Sequence, residues 1–304
     1  MESINGIIAV DLFLYIVKHH TLIISDMHIG YIENLHSIGI MMPRFNNFQL
    51  RVVNAINFLH SKKMFVKQII INGDLIHSFS KLGFKEKIAI KDMIKFLEQY
   101  GVITIIEGNH DKMLKYFSNK IEIKKYVLLD DMLIIHGDKL CDIKNIKVAI
   151  KTIIIGHEHP AVTLNNSVRS EKFKCFLKGK YESKNLIVMP SSNLLTEGTD
   201  VLREKTLSPY IKKILEFNVY IVEDKIYDFG KAKKIEIAKS QTTIVGGKGD
   251  ITQIDARIDS IKAELAQTES IYECERLQER ITRLASGIAI IRVGASTEIE
   301  LIEK

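Results

Sequence analysis

Five short apolar runs set the pattern of the first half of the chain: Leu22–Ser25, Gln68–Asn72, Val102–Ile106, Met132–His136 and Thr152–Gly156. Each is rich in isoleucine or valine, and each closes on polar or glycine residues. Runs of this length and composition predict buried strands. Helical spacing intervenes twice. Asn46–Ser61 sets Leu50, Val53, Ile56 and Leu59 on one face, and Glu86–Tyr100 does the same with Ile90, Met93, Ile94 and Leu97. Further strands are predicted at Lys174–Lys180, Asn185–Met189 and Val219–Asp228. Alternation of this kind predicts a layered α/β domain over residues 1–232. Residues 165–215 are compatible either with a cap over a cleft or with completion of a sheet.

The pattern changes near Gly230. Thr242–Gly249 reads as a turn-rich segment. Ile254, Ile258, Ile261 and Leu265 then recur at helical spacing, as do Ile271, Leu277, Ile281 and Leu284. Gly287 closes the second stripe, and Ile288–Val293 reads as a strand. A helical hairpin with one strand buries little by itself, so residues 233–304 are expected to form a small appendage.

Candidate chemistry sits where the predicted strands end. In order along the chain come Asp26-Met-His28, Gly73-Asp74, Gly108-Asn-His-Asp111, His136-Gly-Asp138 and Gly156-His-Glu-His159. Ligands of open α/β sheets gather outside the carboxyl ends of the strands, so five distant segments can meet at one site. Carboxylates, imidazoles and one amide oxygen form a donor set suited to manganese, iron or zinc, without thiolate. Two such ions roughly 3.5–4 Å apart can clamp a phosphoryl group. Asp74 is the natural bridging carboxylate. Each short motif is uninformative alone; the ordered set of five is specific.

On these motifs the chain resembles the calcineurin-like metallophosphoesterases over about residues 20–230. The resemblance implies a four-layer double β-sandwich flanked by helices. It implies a first ion on Asp26, His28, Asp74 and His159 and a second on Asp74, Asn109, His136 and His157, with manganese the first expectation and iron or zinc the others. His110 would stand beside the scissile phosphate, with Asp111 orienting its ring. Attack would be in line, by a metal-bridged hydroxide. Asp26-Met-His-Ile-Gly30, Gly73-Asp-Leu-Ile-His77, Gly156-His-Glu-His-Pro160 and Met189-Pro-Ser-Ser-Asn193 are similar to the ICC-like phosphoesterases. That group includes ligase-associated DNA-damage-response endonucleases and relatives encoded near helicases. DNA or RNA is therefore the expected substrate, with DNA repair and a link to a ligase or helicase as the expected setting. The alternatives are a phosphomonoesterase acting on nucleotides or phosphoproteins, and a catalytically silent metal-bound module that binds nucleic acid.

Residues from about 230 resemble a second family, the GroEL-type chaperonins. Gly230-Lys-Ala-Lys-Lys234, Thr242-Thr-Ile-Val245, Leu277-Gln-Glu-Arg280 and Leu284–Ala295 carry the likeness. It corresponds to the end of an apical domain and its return into an intermediate domain. The segment holds no nucleotide site, so neither ATPase activity nor ring assembly is expected from it. Asp228–Lys234 fits both families, and the join reads as a gene fusion or a sequence-assembly artefact.

Composition alters this picture in three places. The net charge of +6 lies wholly before residue 233: residues 233–304 carry 11 Lys and Arg against 12 Asp and Glu, leaving 32 against 25 in residues 1–232. A basic surface suits a polyanionic substrate. Arg44, Arg51 and the lysines at 172, 174, 178, 180 and 184 are the cations to examine, the lysines as a basic strand edge. Three scattered cysteines among 304 residues exclude a disulfide framework and point to a reducing, cytoplasmic setting. Neither a signal peptide nor an apolar run long enough for a membrane span is visible.

Overall fold

A computed structural model describes residues 6–37, 39, 47–77, 83–116, 122–143, 146–165, 170–222, 226–230, 234–237, 242–245, 259–263, 265 and 277. The chain divides into two units, Met1–Gly249 and Asp250–Lys304.

The first unit holds two large mixed sheets, the α/β sandwich that the alternating pattern predicts. One has six strands in sequence order: β1 (Ile7–Val10), β2 (Phe13–Ile16), β3 (Thr21–Ser25), β4 (Gln68–Asn72), β5 (Val102–Ile106) and β6 (Glu122–Lys124). The first three pair antiparallel, and β3 to β6 run parallel. Its helices are α1 (Tyr31–Ser37), α2 (Asn47–Ser61) and α3 (Phe84–Glu98). Helix α3 buries Ile90, Ile94 and Leu97 as expected. Helix α2 is rotated from expectation. Its buried stripe is Val52, Ala55, Ile56 and Leu59, while Leu50 is 59% exposed. Both stripes have helical spacing, and Ala55 made the true one inconspicuous.

The second sheet has nine strands: β7 (Val127–Leu129), β8 (Met132–Ile135), β9 (Thr152–Ile155), β10 (Pro160–Asn165), β11 (Ser170–Tyr181), β12 (Lys184–Val188), β13 (Thr199–Asp200), β14 (Asn218–Val222) and β15 (Ile226–Gly230). β8, β9 and β12 lie parallel and side by side. The register aligns Ile134, Ile154 and Ile187 in one file, which joins the core of the first sheet and its helices. The neighbouring file, Leu133, Ile153 and Leu186, faces a second core with Val201, Tyr210 and Phe217. With both faces buried, no polar alternation is needed, and these strands appear in the sequence as unbroken apolar runs.

Strand β11 completes this sheet rather than capping it. Its first half pairs with β10 and its second half with β12, while Cys175–Lys178 pair with β14. The stretch Val219–Asp228, expected as one strand, is the hairpin β14–β15. Thr242–Val245, expected as turn, is strand β17, paired antiparallel with β16 (Lys234–Ile237). In the second unit, residues 259–263, 265 and 277 are helical, in line with the predicted stripes. The remainder of that hairpin and the Ile288–Val293 strand lie outside the described residues. Among the described residues no helix is long and apolar enough to cross a membrane.

Candidate metal centre

All five motifs follow the carboxyl ends of parallel strands, three from the first sheet (β3, β4, β5) and two from the second (β8, β9). Backbone bonds hold the emerging turns together. Asp26 N–H donates to Gly73 O (3.3 Å), His28 N–H to Asp74 O (2.9 Å) and Gly156 N–H to His136 O (2.9 Å). The two sheets are joined at the site by Asp26, whose carboxylate accepts the His157 N–H (3.1 and 3.2 Å).

Asp74 is the geometric centre. Its Oδ2 lies 3.5 Å from His136 Nε2, 3.8 Å from His110 Nε2 and 3.9 Å from His28 Nε2. Around it are two groups whose ligand atoms all lie within 4.8 Å of one another and could hold a metal ion: Asp26, His28 and His159, and Asp74, His136 and His157. In the first, His159 Nε2 is 3.3 Å from Asp26 Oδ1 and 3.2 Å from His28 Nε2. Beside the second, Asn109 Oδ1 is 3.0 Å from His136 Nε2. All seven residues singled out as ligands are thus brought into one place. His28, His77 and His110 form a third such group.

The backbone is bent to achieve this. Asp26, His28, Asp74, His157 and His159 have φ of +49°, +48°, +44°, +62° and +49°. Non-glycine residues occupy this left-handed region at a cost of about 1–3 kcal/mol each when the surroundings hold them there. Two motif glycines supply room. A β-carbon on Gly73, itself at φ +77°, would collide with the His136 ring, and one on Gly156 would collide with Ser25 Oγ and Asp26 Oδ2. Glycine in one motif is therefore demanded by a side chain from another.

Electrostatics favour a cation. Burial opposes charge on Asp26, yet His159, His136 and His28 hold its carboxyl below the ordinary range. Asp74 is lowered too, burial being outweighed chiefly by His136. Burial, assisted by His159, pushes His28 down to about 4, and burial also lowers His77 and His157. His136 is the exception: despite burial, Asp74 and Asp26 raise it to about 9. Ionised carboxylates among neutral imidazoles are the protonation state that a divalent ion requires. Among the described residues the Nδ1 atoms of His28 and His136 are buried without a hydrogen-bond partner, as expected for rings placed for another purpose.

The expected pairing of Asp111 with the His110 ring is not observed. His110 Nδ1 lies 2.7 Å from the backbone carbonyl of His77. The Asp111 carboxylate instead accepts the N–H groups of Gly108 (3.0 Å), Ile76 (3.1 Å) and Leu75 (3.3 Å). It follows His110 directly and points into the protein, where burial raises it to about 6. Asp111 fastens the Gly108–His110 turn to the Asp74–Ile76 turn.

The cations singled out are placed in different ways. Arg51 forms a two-armed pair with Asp11. Lys172 faces Glu197 and Glu204, Lys174 turns inward, and Lys180 of the same strand is exposed. Arg44 lies outside the described residues. Two supports had no assigned role. The Ser191–Asn193 loop bonds to the backbone of Ser25, Asp26 and His28. Glu158, between the two histidines, accepts the N–H groups of Leu207 and Ser208 (both 2.8 Å), while Ser208 Oγ donates to Gly137 O (2.8 Å). Met189–Asn193 was visible as a motif; Ser208 carries no sequence signal at all.

Fold and site together define an α/β sandwich with groups of histidine and aspartate that could hold metal ions at converging strand ends. No protein-family model matches the chain. Among solved structures it is similar to the nuclease MPE of Pseudomonas putida, with a TM-score of 0.49 and 16% identity over 71% of this chain and 90% of that one.

Proposed function

We propose that this chain is a metal-dependent phosphoesterase that holds two divalent ions and cleaves phosphodiesters of DNA or RNA. The observation that carries the proposal is the position of Asp74, one buried carboxylate standing between two ligand clusters. Asp26, His28, Asp74 and His159 would hold one ion; Asp74, Asn109, His136 and His157 would hold the other. When bound, such ions supply a Lewis-acid clamp for the phosphoryl oxygens and lower the pKa of water.

The remaining residues position and move protons. A backbone carbonyl can only accept, so the Nδ1 of His110 facing His77 O carries a hydrogen. Nε2, on the Asp74 side, is then the nitrogen that takes up the second proton; as an imidazolium the ring can give that proton to a leaving oxygen and return to its neutral Nδ1–H form. Asp111 keeps this ring in place through the turn it fastens. The excess of basic over acidic residues in 1–232, together with the resemblance of the motifs, supports a nucleic-acid substrate.

The test is hydrolysis of a bis-aryl phosphodiester and an aryl phosphomonoester by the metal-stripped chain, with and without manganese and beside Asp74→Ala. Diester cleavage that returns with manganese and is lost in the variant supports the proposal. It then extends to single-stranded and duplex DNA and RNA. Cleavage of the monoester alone would make the chain a phosphomonoesterase. Two bound ions without hydrolysis of either compound would make it a silent binding module.

A further inference from the structure

Strand β11 carries a part-buried lysine whose ammonium group turns toward a loop at the site. Lys174 Nζ donates to Ser191 O at 2.7 Å and also to Asn193 O. Burial, with Arg51 nearby, pushes its pKa down to about 7 against the pull of Asp26. Burying an ammonium group is unfavourable unless its hydrogens are used, and here two of its bonds go to the carbonyls of one short loop.

That loop grips the site. Ser191 Oγ donates to Asp26 O (2.7 Å), Ser192 donates both N–H (2.9 Å) and Oγ (2.6 Å) to Ser25 O, and Asn193 Nδ2 donates to His28 O (3.5 Å). These are the main-chain atoms of the segment in which Asp26 and His28 hold positive φ. Strained backbone persists only where its surroundings over-determine it. The grip falls on the segment bearing two members of the first cluster. The second cluster is held by other means, Asn109 against His136 and the Gly73 cradle beneath its ring.

We propose that Lys174 is a positioning residue for the first ion: by pinning the Ser191–Asn193 loop it fixes the main chain that presents Asp26 and His28. The proposal rests on the two-metal reading of the site. It assigns Lys174 no contact with substrate or metal.

The experiment is cobalt(II) titration of the metal-stripped full chain, followed by visible absorption and by ions bound per chain. Circular dichroism reports the fold. The parent is expected to take up two ions. Lys174→Met is expected to keep its fold and bind one ion as the parent does, the other about tenfold to a hundredfold more weakly, the range typical for partners that orient metal ligands. The ion it retains should vanish on adding His157→Ala and survive on adding His159→Ala. Ser191→Ala, which cuts the same chain of contacts at its far end, should weaken the same ion to a smaller degree. If Lys174→Met binds both ions as tightly as the parent, the proposal is overturned. If Lys174→Met does not fold, Ser191→Ala decides, and two unchanged ions in that variant overturn it as well. A parent that binds fewer than two ions removes the two-metal reading itself, and the proposal with it.

Discussion

The two proposed ligand clusters lie on either side of Asp74 and are held in opposite ways. Asp26 and His28 sit on a segment gripped through its backbone carbonyls by a loop from the other sheet. His136 is placed by shape: its ring occupies the space a side chain on Gly73 would need, and its Nε2 lies by Asn109. Hydrogen-bonded supports can be weakened by degrees, because each bond contributes about 1 kcal/mol and neighbours remain. A steric cradle has no intermediate setting. The clusters should therefore differ in how they fail.

The largest effect is expected where the clusters meet. On the proposed reading Asp74→Ala removes a ligand from both, and hydrolysis should fall by about a thousandfold or more, several kcal/mol of lost charge stabilisation. Activity within tenfold of the parent would show that the clusters do not work as a pair. Gly73→Ala should come next and be selective. Its β-carbon displaces the His136 ring and its φ of +77° favours glycine, so the second ion should be lost while the first is kept. Elemental analysis after gel filtration counts the ions; equal loss of both would erase the distinction drawn here.

Asp111→Ala should injure both clusters alike. It leaves three buried N–H groups without an acceptor, a loss of about 3 kcal/mol or more. A lowered melting temperature with both ions weakened together is the expected result, whereas an unaltered melt would deny Asp111 its fastening role.

The smallest effect concerns pH. In the metal-free chain His136 is raised to about 9, Asp74 and Asp26 outweighing its burial. A base raised above its ordinary value of 6.5 stabilises the fold fully below 6.5 and loses that contribution as pH climbs through 9. A ligating imidazole must be neutral, so an ion bound there competes with this proton. The metal-free melting temperature should decline between pH 6.5 and 9. Manganese affinity at the second cluster should rise over the same interval, by about tenfold per pH unit for one displaced proton. Calorimetry in buffers of different ionisation heat counts the proton released, and a count of zero at pH 7 would contradict this account of His136.

What the sequence revealed follows the same division. The five motifs were legible because each is local, an apolar run followed at once by the residues that carry chemistry. The strands of the second sheet were legible because both of their faces are buried. The β1–β2 hairpin was not, since its turn at Asp11 and Leu12 lacks the asparagine–glycine or aspartate–glycine pair that marks a tight hairpin. The supports were hidden for a different reason. Lys174 and Ser208 act on backbone carbonyls, and every residue has one, so no complementary residue type exists to be found. Lys174 reads in sequence as one lysine of a basic strand edge, whereas in the fold it turns inward to Ser191 O.

The bolt formed by Glu158 and Ser208 has a consequence for assembly. Every candidate ligand has been synthesised by residue 159, yet the turn after β8 and the turn after β9 are not tied to their common brace until residues 207 and 208 exist. The Asp26–His28 segment likewise awaits residues 191–193. A nascent chain ending near residue 165 holds the full donor set and none of these fasteners. On the proposed two-ion reading, metal capture would then be a late event in the biogenesis of this protein, following a considerable length of chain beyond the last candidate ligand.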